Sequence, residues 1–331
     1  MANAEYLAEL VRAHYAGDDR RFSNLLNQVI ASESRAGHSL LAERLRELRV
    51  EGTRNDGAAR ATPLARAPRN LEQVLSVGYS DVKLSDVVLA PESRRSLERY
   101  IIEQRRAQAL AEHGLRPRRR LLVHGPPGCG KTMTAQALAC ELKLPLIRVR
   151  LEVVFSKYLG ETAATLTDVF AEAIRVRGVY LFDEFDALGR TRLDDNDVGE
   201  MKRVVTTFLQ LLDADQSDSL LVAATNTGHA LDVALFRRFD DVLELPEPTP
   251  AQRGELLNRL MRPWRLKANR ALQAAASGLS FADIRAAVED AHKDAVLDES
   301  VSPTIEGIAE KLAERRTRGA VRLRPTGPLS A

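Results

Sequence analysis

Eight residues constrain this chain more than any others: Gly125-Pro126-Pro127-Gly128-Cys129-Gly130-Lys131-Thr132, which fit the pattern G-x-x-x-x-G-K-[ST]. An apolar run, Leu121–Val123, precedes them, and a helix-forming stretch that opens on Met133 follows. A glycine-rich turn between a strand and a helix lets the backbone wrap closely around phosphate oxygens and aim its N–H groups at them. The helix adds its positive N-terminal end to the same anion. In such a loop the Lys131 ammonium reaches the outer phosphates of a nucleoside triphosphate, and the Thr132 hydroxyl ligates magnesium. The expected ligands are therefore ATP and Mg2+, with residues 125–133 forming the phosphate end of the site.

A second segment supplies the acids that such chemistry needs. Val179-Tyr-Leu-Phe182 reads as a buried strand that delivers Asp183 and Glu184 at its end. Asp183 belongs in the magnesium shell, and Glu184 is placed to orient and deprotonate an attacking water. Further short apolar runs at Leu146–Val149, Leu220–Ala223 and Val242–Leu245 alternate with helical segments. That alternation predicts an α/β fold with a five-stranded parallel sheet covered by helices on both faces, over residues 71–246. Beyond Pro246 and Pro248 the strands stop, and helices over 247–316 predict a small all-helical lid. Residues 317–331 are basic and carry Pro and Gly near their end, which predicts a disordered tail.

Taken together these motifs resemble the AAA family of ring-forming ATPases, built on the P-loop NTPase fold, over roughly residues 80–315. Ser85-Asp86-Val87-Val88 is similar to the family's lead-in strand, which makes Asp86 and Val87 expected walls of the adenine pocket. Ala224-Thr225-Asn226 resembles the sensor-1 strand and implies that Asn226 contacts the γ-phosphate or the attacking water. Leu231-Asp232 through Arg237-Arg238-Phe239-Asp240 resembles the second region of homology. It implies that Arg237 and Arg238 are arginine fingers inserted into a neighbouring subunit's site, with an adjacent-arginine pattern like that of katanin- and spastin-like members. Asp213-Ala-Asp215 stands where many relatives carry Asp-Gly-Phe. Ser280-Phe-Ala-Asp-Ile284 resembles the start of the lid helix. No lid arginine is assigned to the nucleotide, because this branch usually lacks one.

Phe155-Ser-Lys157-Tyr158-Leu159-Gly-Glu161 resembles the pore loop of protein-translocating members, in which Lys157, Tyr158 and Leu159 would face a central channel. An exposed aromatic grips varied side chains through apolar contact. The acidic stretch Asp194–Glu200 is expected to form a second loop in the same channel. The resemblance thus implies a homo-oligomer, a hexamer, that threads or remodels a protein. Two alternatives stay open: a nucleotide-switched ring that controls a bound effector such as a peptidase, and a nucleic-acid motor. For the latter speak the basic run Arg116–Arg120 and the Arg-rich tail. Against it stands a formal charge of only +2, too small for a global field.

The chain begins with helical periodicity over residues 1–50, with Leu25, Leu26, Val29 and Ile30 on one face. Residues 51–70 mix Gly, Ala, Pro and Arg without period, a linker composition, so the preceding helices read as a tethered partner-docking domain. Only two cysteines, Cys129 and Cys140, are present, which makes no disulfide framework and suggests a reducing compartment. The opening MANAEYLAEL lacks the basic and apolar regions of a secretory signal, and no run approaches the ~18 apolar residues of a membrane helix. A cytoplasmic location with no membrane partner is expected.

Overall fold

The computed structural model describes residues 71–155, 159–185, 195–226 and 236–322, together with Glu9, Leu25, Leu26, Gln28–Ile30, Ser32 and Glu43. The chain divides into two compact units, Met1–Ala61 and Thr62–Ala331. In the first, Val29 and Ile30 are helical and buried, as the periodic face predicts.

The second unit is built on a sheet. Its strands are β1 (Leu75–Gly78), β2 (Arg120–His124), β3 (Leu146–Val149), β4 (Val179–Phe182), β5 (Leu220–Thr225) and β6 (Asp241–Glu244). The order is β1-β3-β4-β5-β2-β6. Five strands run parallel, as the alternation of apolar runs predicts, while β1 adds a sixth, antiparallel to β3. β1 is only four residues long and buries little beyond Leu75, so it carries almost no apolar signature of its own.

The helices are α1 (Pro91–Arg105), α2 (Ala107–Glu112), α3 (Lys131–Leu142), α4 (Leu151–Phe155), α5 (Leu159–Arg175), α6 (Asp195–Ala214), α7 (Pro250–Met261), α8 (Arg270–Ala275), α9 (Phe281–Leu297) and α10 (Ile305–Arg322). The central strands are apolar throughout because both faces are covered. Leu121 and Val123 of β2 and Leu181 of β4 turn to a core shared with Leu97, Tyr100 and Leu138. Leu122, Tyr180 and Phe182 turn to the other face, against Phe170 and Phe208. A third core, with Leu257, Met261, Ile284, Val288, Ile308 and Leu312, holds α7–α10 together as the lid and takes in Val88 from the large domain.

Three expectations change. Ser85–Val88 is not a strand. Leu84–Asp86 forms a 3-10 turn, because the Asp86 carboxylate accepts the Lys83 N–H at 2.9 Å and caps it. The acidic stretch is helical from Asp195 onward, where the helix's positive end favours acids, and Asp194 lies outside the described residues. The tail is helical through Arg322, six residues past Arg316. Lys311 pairs with Asp294 at 2.8 Å and Arg315 with Asp290 at 2.6 Å, fastening α10 along α9 and favouring its continuation. The Arg315 guanidinium holds the Asp290 carboxyl below its usual range. Among the described residues no helix is long and apolar enough to cross a membrane.

Candidate nucleotide site

β2 ends at His124, and the loop that follows turns sharply into α3. Gly125 has φ 147°, and a Cβ there would lie 2.0 Å from the Leu245 carbonyl oxygen, so no other residue fits beside the end of β6. Gly128, at φ 77°, is needed for a different contact. A Cβ on it would meet Ser280 Oγ at 2.5 Å and Ala282 Cβ at 3.0 Å, on the lid. The Ala282 N–H donates to the Gly128 carbonyl at 3.1 Å, so the first turn of α9 rests directly on the loop. Ser280 and Asp283 form the capping box that starts that helix.

Within the loop the buried Lys131 Nζ donates to the carbonyls of Gly125 (2.7 Å) and Pro126 (2.9 Å). Those two residues therefore hold the lysine, while Pro127, Gly128, Cys129, Gly130, Lys131, Thr132 and Met133 line the cavity. Burial pushes the Cys129 thiol above its ordinary pKa, so it stays protonated there.

The acids arrive on β4. Asp183 Oδ2 accepts the Thr132 hydroxyl at 2.8 Å, and Asp183 Oδ1 accepts the Glu184 N–H at 3.0 Å. Glu184 is exposed and held at φ 53°, the left-handed region, at a cost of about 1–3 kcal/mol for a residue with a Cβ. Buried aromatics on either side enforce it: Phe182 meets Phe208 edge-on at 5.2 Å between centroids, and Phe185 packs tilted against the same ring at 4.9 Å. The strained residue is thus pinned between two ring contacts and turned toward solvent.

Asn226, one residue past β5, also lines this cavity, whose volume is about 600 Å³. Asp86, Val87 and Val88 close one side. The lid adds Phe281, from the motif at the start of the lid helix, and Leu256 and Arg285, which no motif singles out. The sequence assigns no lid arginine to the nucleotide, and Arg285 nonetheless lines the cavity. It lies three residues past Ala282 on α9, so the same helix face that meets the loop presents it.

Arg237 and Arg238 are elsewhere. They precede β6, at the end of the sheet where the parallel strands begin, whereas Lys131, Asp183, Glu184 and Asn226 follow strand ends. Arg238 Nε pairs with Asp213 Oδ2 at 2.7 Å, and Arg237 is exposed. Their turn is fixed by the buried Phe239 and by Asp240, whose carboxylate accepts the N–H groups of Arg119 (2.7 Å) and Arg120 (2.8 Å). Two residues from Asp213, the buried Asp215 faces Arg119, with Oδ2 3.0 Å from Nη1, close enough for Coulombic pairing though not aligned as a hydrogen bond. Lys157 and Tyr158 lie outside the described residues, as does the side chain of Leu159.

Among the described residues no cluster of three or more His, Cys, Asp or Glu side chains could hold a metal unaided. Thr132 and Asp183, already in contact, fit magnesium all the same, since that ion is usually held by one or two protein oxygens with substrate phosphates and water.

Residues 121–247 match the family model described as "ATPase family associated with various cellular activities (AAA)". An uncharacterised AAA family ATPase of Sinorhizobium fredii is 35% identical over 330 residues, covering 98% of this chain and 99% of its own. The proteasome-activating nucleotidase of Pyrococcus horikoshii is 38% identical over 190 residues, 54% of this chain and 47% of the relative, so the match spans about half of that protein. That of Aeropyrum pernix is 33% identical, covering 72% of this chain and 59% of its own. The crystal structure of the FIGL-1 AAA domain superposes with a TM-score of 0.58 at 24% identity, over 81% of this chain and 94% of its own, a likeness of fold. The loop of residues 125–132, the acids that close on it, and a relative matched along almost the whole chain agree: the protein belongs to the AAA family of ATPases, and it binds and hydrolyses ATP.

Proposed function

We propose that copies of this chain associate head to tail in a ring, a hexamer as the motif resemblance implies, and use ATP hydrolysis between neighbours to remodel a protein threaded through the centre. One observation carries the reading: Arg237 and Arg238 sit at the opposite end of the sheet from the nucleotide cavity of their own chain. A strand of five residues spans about 16 Å, beyond the reach of an arginine side chain across the sheet. Cations of this kind act on a phosphate site only in another copy. A contact between unlike ends repeats from copy to copy and closes into a ring where its rotation divides a full turn.

Within each cavity Lys131 binds the β- and γ-phosphates, and Asn226 orients the attacking water. Glu184 takes the water's proton, and the neighbour's Arg237 and Arg238 stabilise charge on the transferring phosphoryl group. Magnesium held by Thr132 and Asp183 would neutralise phosphate charge. Asp86 and Val87 take the adenine.

A protein as the object of the work is supported by the Lys157-Tyr158-Leu159 segment and by the identity with proteins named proteasome-activating nucleotidases. The nucleic-acid alternative loses part of its support. In the basic run, Arg118 pairs with Asp241 at 3.3 Å and Arg119 with Asp215, so these charges are neutralised within the fold. Two unpaired thiols fit a reducing, cytoplasmic setting.

The test is ATP turnover with and without an unfolded model protein such as casein. The unfolded protein is expected to stimulate turnover in the native chain. Tyr158→Ala is expected to keep basal turnover within a few-fold and lose the stimulation. Stimulation that survives this substitution ends the threading reading, and absence of stimulation in the native chain points to a switch acting on a dedicated effector.

A further inference from the structure

Behind the wall that Asp86, Val87 and Val88 give the nucleotide cavity stands a side chain that does not line the cavity itself: Arg94, one turn into α1. Its guanidinium meets no carboxylate among the described residues. Instead Nη2 donates to the Val87 carbonyl at 2.9 Å and Nη1 to the Leu84 carbonyl at 3.4 Å. A rigid charged fork on two carbonyls three residues apart fixes their relative direction, which a point donor cannot do. Two further elements fasten the same turn. Glu141 of α3 accepts the Leu84 N–H at 3.3 Å, and Arg259 of α7 donates to the Ser85 carbonyl.

These bonds set the directions of the groups left over, because the carbonyl and the N–H of a trans peptide point opposite ways. The Val87 N–H donates to the Leu84 carbonyl at 3.3 Å, so the Asp86 carbonyl faces away from that bond. The Val87 carbonyl is taken by Arg94, so the Val88 N–H faces away from α1. Neither the Asp86 carbonyl nor the Val88 N–H has a hydrogen-bond partner among the described residues, although Val88 is buried. An open donor on a buried residue of a cavity wall is one for a ligand to satisfy. One acceptor and one donor, two residues apart, complement the edge of adenine, whose amino group donates and whose N1 accepts. A 6-oxopurine carries the reverse, a carbonyl and an N1–H, and sets acceptor against acceptor and donor against donor.

We propose that Arg94 is a positioning residue for base selection: by holding the Leu84 and Val87 carbonyls it aims the two open backbone groups that tell adenine from a 6-oxopurine. The proposal rests on the reading that Asp86 and its neighbours take the adenine. It goes beyond that reading by assigning the choice of base to a side chain outside the cavity. Without the guanidinium both carbonyls are free to turn, and the peptide planes carrying the open groups turn with them. The phosphate end is not involved, since neither bond of Arg94 reaches residues 125–132.

The experiment is calorimetric binding of ADP, inosine diphosphate and inorganic tripolyphosphate to the full-length native chain, Arg94→Ala and Arg94→Lys. Inosine diphosphate differs from ADP only at the edge in question, and tripolyphosphate has no base. Arg94→Ala is expected to weaken ADP by about tenfold or more, as a site loses when its hydrogen bonds to a substrate are misaligned. The other two ligands should stay within about twofold of the native chain, so the preference for ADP shrinks by the same factor. Arg94→Lys keeps the charge and holds one carbonyl, and it should fall between the two; it also carries the test if Arg94→Ala does not fold. A merely structural role predicts parallel weakening of all three ligands along with a lower melting temperature, and that result overturns the proposal. A native preference for ADP that survives in both variants overturns it as well while leaving the adenine wall standing. A native chain that binds ADP and inosine diphosphate alike overturns the wall and the role of Arg94 together.

Discussion

The two ends of the sheet use similar residue types for opposite purposes. At the carboxyl end, polar groups converge on a cavity: the Lys131 ammonium donates to two loop carbonyls, Glu184 is exposed, and Arg285 meets no carboxylate among the described residues. Backbone strain is tolerated there, at Glu184. At the amino end most charges are answered inside the fold: Arg118 by Asp241, Arg119 by Asp215, Arg238 by Asp213. What remains unanswered, Arg116, Arg177 and Arg237, is exposed along one edge. One end is organised to receive a ligand, the other to present cations outward. An arginine's role here follows from which end of a strand it occupies and whether an acid folds against it.

The comparison breaks most visibly at Glu184. Glu184→Gln removes the group that takes the water's proton and leaves Lys131 and Thr132 in place. Turnover should fall by about 10²–10⁴-fold while ATP affinity is kept. A near-native rate would mean that the carboxyl end does not work as described.

A somewhat smaller effect is expected from the other end. Arg237→Ala should bind nucleotide normally and lose up to about 10³-fold in turnover, the lower range for an arginine acting on a transferring phosphoryl group. Mixing it with Lys131→Ala subunits should recover part of the activity, because some interfaces then join an intact loop to an intact arginine. Mixed rings that show no recovery at any ratio would place Arg237 in service to its own chain and erase the division between the ends.

How much of this was legible in the sequence follows the same division. The loop of residues 125–132 is readable because its backbone admits only glycine at positions such as Gly125, and the acids of β4 are readable because a buried strand announces them. Arg285 was not readable: a single arginine in an amphipathic helix has no signature until the lid folds over the loop. The same holds for β1, an edge strand of four residues with little apolar content. Ser85–Val88 was misread as a strand because Val87 and Val88 suit one, while the Asp86 cap that curls the segment depends on a geometry that composition does not record. Most hidden was Asp213-Ala-Asp215. As sequence it is two acids in a helix end; in the fold the two carboxylates answer different arginines in different environments.

That pair gives the finest test of the comparison, because two acids two residues apart should behave oppositely. Asp215 is fully buried beside Arg119, and its Oδ1 also accepts the Ser217 N–H at 3.0 Å. Asp215→Asn leaves the Arg119 guanidinium without its counter-charge and should cost about 3–5 kcal/mol of stability, as loss of one partner from a buried pair does. Asp213 and Arg238 are partly exposed, with side chains 48% and 33% accessible, so solvent screens them. Asp213→Asn should change stability by less than about 1 kcal/mol. Its effect should appear instead in assembled protein, where Arg238 is no longer paired with Asp213 and turnover per subunit should shift by a few-fold. Thermal melting of unassembled protein, set beside turnover above and below the assembly concentration, separates the two. If Asp213→Asn destabilises the unassembled chain as much as Asp215→Asn, both acids are structural, and the amino end presents Arg237 alone.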